Sequence, residues 1–454
     1  MTPPPVTNSA RAESFLEDAG LDAIVGSLPA NVYYLSGYRC WIESLMQEWM
    51  IRPGGSTRRA QHSFAVLLRG GGRCLIVSAV FAPDALESWA DDVRVWGELD
   101  YDDLGETTQL ESAVAAIHLA QKSRAGLDAV GVLAATLQDV GLAEGRVGID
   151  FGGLYEPDIE WLRQALPRAD IRDCSNLIRL IRMVKSHREL ELLTLASVIN
   201  ERSGVETALT ARPGKSVAEL RDQYRIVAAV AGADFDHFSP AIGGIGLSSQ
   251  TRHILREDDV FSLDFGCMLD GYYSDAGFTV ALGDVSKTIN ARYVALRDAI
   301  VEVGLGAMRP GALASGVHNV MSDYLDGHGV RACFPHGHGL GLELRDYPVL
   351  VPDTGLRIRD DCIDIPADLS LEPGMVINLE VSLFRPGIAT LEVEITTLVT
   401  ESGARPLIEQ YRSSPIRRGD RRLPFRPVGR PPVVSAADPV VSAADPDLQR
   451  RTHD

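Results

Sequence analysis

Asp264, Asp275, His338, Glu380 and Glu394 are the side chains here whose types and spacing suit chemistry. They lie in FSLDFG at 261–266, GYYSDAGFT at 271–279, HGHGLGL at 336–342, and the pair INLEVS and TLEVEITTLVT at 377–382 and 390–400. Four carboxylates and one imidazole make a hard, oxygen-rich donor set. It suits one or two divalent ions (Mn²⁺, Co²⁺, Fe²⁺ or Zn²⁺) better than a thiolate-type site does. Four negative charges balance two such ions. A metal pair can turn water into a hydroxide nucleophile near neutral pH.

The elements around them explain how they could meet. From Val260 to Thr400 the pattern reads mostly as strands, with helical segments near 287–307 and 313–327. This predicts an α+β domain whose mostly antiparallel sheet carries the site. Asp264 sits between Leu263 and Phe265 in an apolar strand, where an unpaired acid is costly to bury. Metal coordination removes that cost. Asp275 follows eleven residues later, across Asp270-Gly271, a hairpin signal. Read singly, both acids also fit ordinary strand-end or turn positions. Glu380 lies inside the strand MVINLEVSL. Glu392 and Glu394 share a strand face by parity, and that face could equally be solvated. Glycines around His338 allow close backbone approach, and His336 competes with it for the ligand role. The string lacks GxxxxGK(S/T), so it is not a phosphate loop.

The remainder of the chain reads as support. With 454 residues the expectation is two or three domains. A hydrophobic fraction of 45% predicts an ordinary globular core. A net charge of −18 argues against a nucleic-acid partner. The six cysteines are scattered without CxxC, which predicts reduced thiols in a cytoplasmic protein. No signal peptide or transmembrane run is expected, so no membrane partner is either. Residues 1–10 read as a flexible end. Residues 11–175 alternate helices (RAESFLEDAGL, LESAVAAIHLAQ, PDIEWLRQAL) with strands (LDAIVGS, RVGID, ADIRDC), predicting an α/β domain. A boundary near 174–186 opens the second domain, 176–412. Ser186 with Glu189, and Ser216 with Glu219, predict helix starts by capping boxes. From 413 to 454 the chain is Pro- and Arg-rich and repeats VVSAADP, which predicts a disordered tail, with a polyanion-binding arm as the alternative.

Taken together, these motifs resemble the family of creatinase, prolidase, aminopeptidase P and methionine aminopeptidase (M24 metallopeptidase-like). That family places its ligands in DxG, an Asp eleven residues later, GHG(I/L)GL, a Glu after PGM, and a Glu in the last strand. The matches are Asp264-Phe265-Gly266, Asp275, Gly337 to Leu342, Glu380 after Pro373-Gly374-Met375, and Glu394. The opening RAESFLEDAGLDAIVGSLPANVYYLSGY and the junction LIRMVKSHRELELL resemble the family's first domain and its linker. The resemblance covers roughly residues 11–402. It implies a pita-bread catalytic domain behind a creatinase-type domain, two divalent ions, a small-molecule or short-peptide substrate, and a homodimer.

Several positions depart from the family pattern. Arg345-Asp346 stands where a His-Glu pair usually follows the metal His. Ser248, Ser249 or Gln250 falls where a second His usually precedes the first Asp. Gly277-Phe278-Thr279, Glu392-Val393-Glu394-Ile395 and Glu380-Val381-Ser382 replace Thr-Arg-Thr, Arg-x-Glu-Asp and Glu-Pro-Gly. One expectation follows: Arg345 binds a substrate carboxylate or an oxyanion, and Glu392 orients it, the alternative being a surface exchange with no bearing on the chemistry. His336 and His237 are candidate replacement acid/base groups, with a structural role as the alternative for each. The segment CWIESLMQEWMIRPGG at 40–55 reads as packing, or as a pocket lining contributed across a dimer.

The favoured activity is a metal-dependent hydrolase resembling Xaa-Pro aminopeptidase or dipeptidase, with Glu380 taking the proton from water. The alternatives are a non-peptide C–N hydrolase or a lyase on the same scaffold, and a metal-free binding homologue.

Overall fold

The computed structural model describes residues 4–40, 42, 62–99, 105–121, 126–244, 246–247, 252–331, 333–408 and the strand 416–417. Most of the 40–55 segment, Ser248 to Gln250 and most of the carboxy-terminal stretch lie outside the described residues.

Seventeen strands are described. In the amino-terminal half they are β1 Ala23–Gly26, β2 Phe64–Leu68, β3 Arg73–Ser78, β4 Asp92–Trp96, β5 Arg146–Ile149 and β6 Asp170–Asp173. They form one mixed sheet in the order β4-β3-β2-β1-β5-β6. Helices Ser9–Asp18, Gln109–Ala120, Ala129–Asp139 and Glu156–Ala165 alternate with them, as the α/β reading predicts. Strands β2, β3 and β4 were not singled out by sequence. Short apolar runs like FAVLL carry no period that separates strand from helix.

The second half holds β7 Asp234–Ala241, β8 Val260–Leu269, β9 Tyr272–Ala281, β10 His336–Gly339, β11 Asp346–Leu350, β12 Arg357–Arg359, β13 Asp364–Pro366, β14 Val376–Arg385, β15 Ala389–Thr400, β16 Gly403–Pro406 and β17 Ile416–Arg417. A nine-stranded sheet runs β11-β10-β14-β15-β9-β8-β7, with β16 beside β15 and β17 beside β9. It is antiparallel except for the parallel β17–β9 pair. Strand β17 falls in the segment expected to be a disordered tail, and the backbone of its two residues pairs with Val280 and Ala281. The β8–β9 connection is the two-residue turn expected from sequence. Asp270 and Gly271 both take positive φ, 49° and 83°, as that turn requires.

Helix His187–Ala208 begins at the predicted Ser186–Glu189 capping box, and Val217–Val230 at Ser216–Glu219. The first packs directly under β8: Phe265 lies over Gly204, where an added Cβ would stand 2.1 Å from the ring. Helices Lys287–Asp298 and Ala314–Gly327 fill the predicted helical segments, with a π-helical turn at Ala299–Gly304 continuing the first. Tyr293, Leu296, Val317 and Met321 from these helices share a core with Leu379, Val381, Val393 and Ile395. No helix among the described residues is long and apolar enough to cross a membrane.

One buried cation ties the two halves together. Arg182, in helix Ser175–Met183, is 2% exposed. Its Nη1 donates to Asn31 Oδ1 at 2.6 Å, and its Nη2 to Glu343 Oε2 at 2.8 Å and Asp346 Oδ2 at 2.9 Å. Asn31 in turn donates to Asp150 Oδ2 at 2.6 Å. Burial works against charge on Asp346, yet Arg182 and Lys185 hold its carboxyl below the usual range. Removing one partner of such a pair strands the other charge in the core. Arg182→Met should therefore lower the unfolding free energy by about 3–5 kcal/mol in chemical denaturation, and adding Asp346→Asn should recover part of that loss.

Candidate metal centre

Register decides what the large sheet presents on one face. Asp264 lies opposite Gly277, and Gly266 opposite Asp275. Glu380 lies directly opposite Glu394, and Ser382 opposite Glu392. His336 lies opposite Glu380, and His338 opposite Asn378. On the far edge His237 lies opposite Gly266. Because side chains alternate, all of these share one face, and the apolar partners Leu263, Phe265, Phe278, Leu379 and Val393 share the other. A one-residue slip in any strand would turn its acids into the apolar core.

The five residues expected to ligate are brought to one place. His338 Nε2 is 3.4 Å from Asp275 Oδ2 and 3.5 Å from Glu380 Oε1. Carboxylate oxygens of Asp264 and Glu394 lie within 4.8 Å of each other, and so do those of Asp264 and Asp275. The His338 Nδ1 is 3.2 Å from the Gly339 carbonyl oxygen. A carbonyl only accepts, so Nδ1 carries a proton and Nε2 faces the acids. Asn378 Nδ2 donates to Glu394 Oε2 at 3.1 Å, fixing that carboxylate. Gly277 makes room for it, since a Cβ there would come within 2.6 Å of Glu394 Oε1.

Glu392 and Glu394 are each 1% exposed, so the solvated-face reading is overturned. Glu392 accepts from Ser382 Oγ at 2.6 Å, and its carboxylate joins those of Asp264 and Glu394 within 4.8 Å. Its other oxygen, Oε2, is buried without a hydrogen-bond donor. The expected partnership of Arg345 with Glu392 is not what the structure brings together. Arg345 is half-exposed and its Nη2 lies 4.0 Å from Glu380 Oε1. The reason is register: Glu392 points inward beside Ser382, while Arg345 sits just before β11 at the rim. Its neighbour Asp346, at the family's Glu position, is committed to Arg182.

The two candidate acid/base histidines both touch the cluster. His336 Nε2 is 2.6 Å from Glu380 Oε1, with Nδ1 3.0 Å from the Phe334 carbonyl oxygen. His237 Nε2 is 2.8 Å from Asp264 Oδ1, with Nδ1 2.7 Å from Asp236 Oδ2. Sequence reasoning gave Asp236 no role, and nothing in its local pattern marks it.

Electrostatics follow from crowding. Burial, followed by repulsion from neighbouring carboxylates, raises Glu392 and Glu394 well above the ordinary range. Burial also raises Asp264, although His237 opposes the shift. Burial would raise Asp275 and Glu380 as well, but imidazole hydrogen bonds hold both below the usual range. For His338 the acids outweigh burial and lift the ring to about 9. Buried acids with raised pKa and an oxygen lacking a donor fit a divalent cation, which supplies the missing positive charge.

Comparisons with known proteins point to one family. The family model described as "Metallopeptidase family M24" matches residues 191–401, and "Creatinase/Prolidase N-terminal domain" matches residues 9–184. The chain is similar to an uncharacterized peptidase of Bacillus subtilis, 27% identical over 53% of this chain and 66% of that protein. It is similar to the Xaa-Pro dipeptidase of Lactobacillus helveticus, 27% identical over 54% of this chain and 65% of that one. These matches thus span just under two thirds of the relatives' own length. In fold it resembles the X-Pro aminopeptidase of Thermotoga maritima (TM-score 0.66, 18% identity, 90% of this chain and 99% of that one). It also resembles the prolidase of Pyrococcus horikoshii (TM-score 0.63, 18% identity, 89% and 99%).

Protons and cations compete for the same oxygens. With Glu392 and Glu394 titrating above their ordinary range, their protonated forms persist to higher pH. Affinity for a divalent ion should therefore rise with pH, with proton release on binding. Titration calorimetry in buffers of different ionisation heat reads both. Glu394→Gln should weaken binding and flatten that dependence; an unaltered slope would remove Glu394 from the ligand set.

Proposed function

Because the chain belongs to the creatinase, prolidase and aminopeptidase P family, with its pita-bread fold, we propose that it is a metal-dependent hydrolase of Xaa-Pro dipeptides or short peptides. The observation that carries this reading is the meeting of Asp264, Asp275, His338, Glu380 and Glu394 on one sheet face. In this reading those five hold two divalent ions. Bound there, such ions lower the pKa of a coordinated water and polarise a carbonyl oxygen.

The chain's own groups do the rest. Glu380 Oε1 accepts the proton released from water. His336 Nε2, 2.6 Å from that oxygen, carries the proton toward the leaving amine. Arg345, half-exposed at the rim and 4.0 Å from Glu380, binds the carboxylate end of the substrate. Its fixed positive charge and donor-only chemistry suit anchoring better than proton transfer. In this reading residues 11–175 form the creatinase-type domain and 176–412 the catalytic domain, a division supported by family matches at 9–184 and 191–401. A homodimer and a cytoplasmic location complete the reading.

The test is a screen of proline dipeptides, other dipeptides and small amides with Mn²⁺, Co²⁺, Fe²⁺ or Zn²⁺ added to chelator-stripped protein. Hydrolysis should depend on the added ion. Glu380→Gln should lower kcat by roughly 100-fold or more, the scale of a lost general base. Arg345→Ala should raise KM for substrates with a free carboxyl terminus and spare those that are amidated. Products carrying an alkene, without solvent oxygen, would replace hydrolysis by elimination. Turnover indifferent to metal would end the proposal.

A further inference from the structure

Of the three imidazoles on the cluster, His237 and His336 lie outside the family's ligand pattern, and the surroundings of His237 are built for coordination. We propose that His237, oriented by Asp236, is a sixth metal-ligating side chain, so that each of two ions takes one imidazole. The inference rests on the metal reading above.

The geometry begins in the backbone. Register between β7 and β8 shifts between Phe235 and His237, so Asp236 is the extra residue of a β-bulge. In a regular strand, residues 236 and 237 would point to opposite faces. The bulge brings both to one side, and Asp236 Oδ2 reaches His237 Nδ1 at 2.7 Å. A carboxylate accepts, so Nδ1 donates to it and Nε2 is left to face the centre. A carboxylate behind the far ring nitrogen is the arrangement that orients metal-bound histidines and raises their basicity. The ring lies across β8 at Gly266, where an added Cβ would stand 2.4 Å from its Cε1.

The front of the ring is equally specific. Nε2 is 2.8 Å from Asp264 Oδ1 and 3.5 Å from Asp275 Oδ1. Those are separations of donor atoms around one ion, since ligands at about 2.0–2.2 Å lie about 3 Å from each other. Asp275 thereby has an imidazole at each oxygen: His237 at Oδ1 (3.5 Å) and His338 at Oδ2 (3.4 Å). A carboxylate flanked in this way suits a bridge between two ions. Asp264 and His237 then serve one end, and His338 with Glu380 the other. An added imidazole shifts preference toward Zn²⁺ and Co²⁺ over Mn²⁺.

The competing account leaves His237 an imidazolium that pairs with Asp264 and never meets a metal. Full-length protein loaded with Zn²⁺ alone separates the two. X-ray absorption should fit one imidazole per ion in the wild type and half that in His237→Ala, and calorimetry should show one of two sites weakened. Asp236→Asn keeps the ring and the fold, and should weaken the same site by about 10–100-fold, the usual cost of a lost orienting partner. An imidazole count and both affinities unchanged in the two variants would overturn the assignment while sparing the metal reading. Wild-type protein that takes up no Zn²⁺ would overturn both.

Discussion

Five carboxylates, Asp264, Asp275, Glu380, Glu392 and Glu394, face one another across four adjacent strands, and most of their oxygens are shielded from water. This crowding is the constraint from which the rest of the site follows. Like charges at such separation cannot all ionise in a low-dielectric setting unless positive charge enters. His237, His336 and His338 each set a ring nitrogen against an acid. Their effect on the acids is uneven. Imidazoles keep Asp275 and Glu380 readily ionised, whereas burial and neighbouring carboxylates make Glu392 and Glu394 resist ionisation. The half of the cluster around Asp264, Glu392 and Glu394 is thus where a cation gains most.

The backbone accepts this crowding because its own groups are satisfied elsewhere. Long antiparallel pairings of β8 with β9 and β14 with β15 tie up the strand amides and carbonyls, leaving side chains alone to settle the charge. Hydroxyls and an amide then stiffen the acids from behind: Ser382 on Glu392, Asn378 on Glu394, and Thr396 Oγ1 on the Asp275 carbonyl oxygen at 3.2 Å. Glycines at 266, 277 and 339 stand where a Cβ would strike His237, Glu394 or the Tyr347 carbonyl. The glycine of the DxG string therefore keeps space for an imidazole, and those of the GHG string for the backbone carbonyls of Asn378 and Tyr347.

Much of this was legible in the sequence, for reasons that can be traced. An acid inside an apolar strand carries a cost visible in one dimension, which exposed Asp264 and Glu380. Parity placed Glu392 with Glu394, and the Asp270-Gly271 turn fixed the β8–β9 register. What stayed hidden depends on departures from regular pairing or on long-range partners. The bulge at Asp236 has no glycine or proline to announce it. Nothing local says that Arg182 will be buried, or that Asn31, 151 residues away, will accept from it. The exchange of His-Glu for Arg345-Asp346 looked like one change to the chemistry. It divides into two unlike parts, because Asp346 turns inward to Arg182 and Arg345 turns out to the rim.

That division links the amino-terminal half to the chemistry. Arg182 sits on the helix that leaves the first domain, and its guanidinium holds Asn31 on one side and Asp346 on the other. Asp346 is the first residue of β11, the sheet's edge strand, and Asp346 Oδ1 also accepts from the Tyr347 amide at 2.9 Å. With the start of that edge strand pinned, the backbone before it is pinned as well, and Arg345 is presented beside Glu380. An exposed arginine on a free loop would lose much of its binding energy in being ordered. Here that cost is met during folding by a buried charge network. The clamp that joins the halves and the cation at the cleft edge are thus one construction.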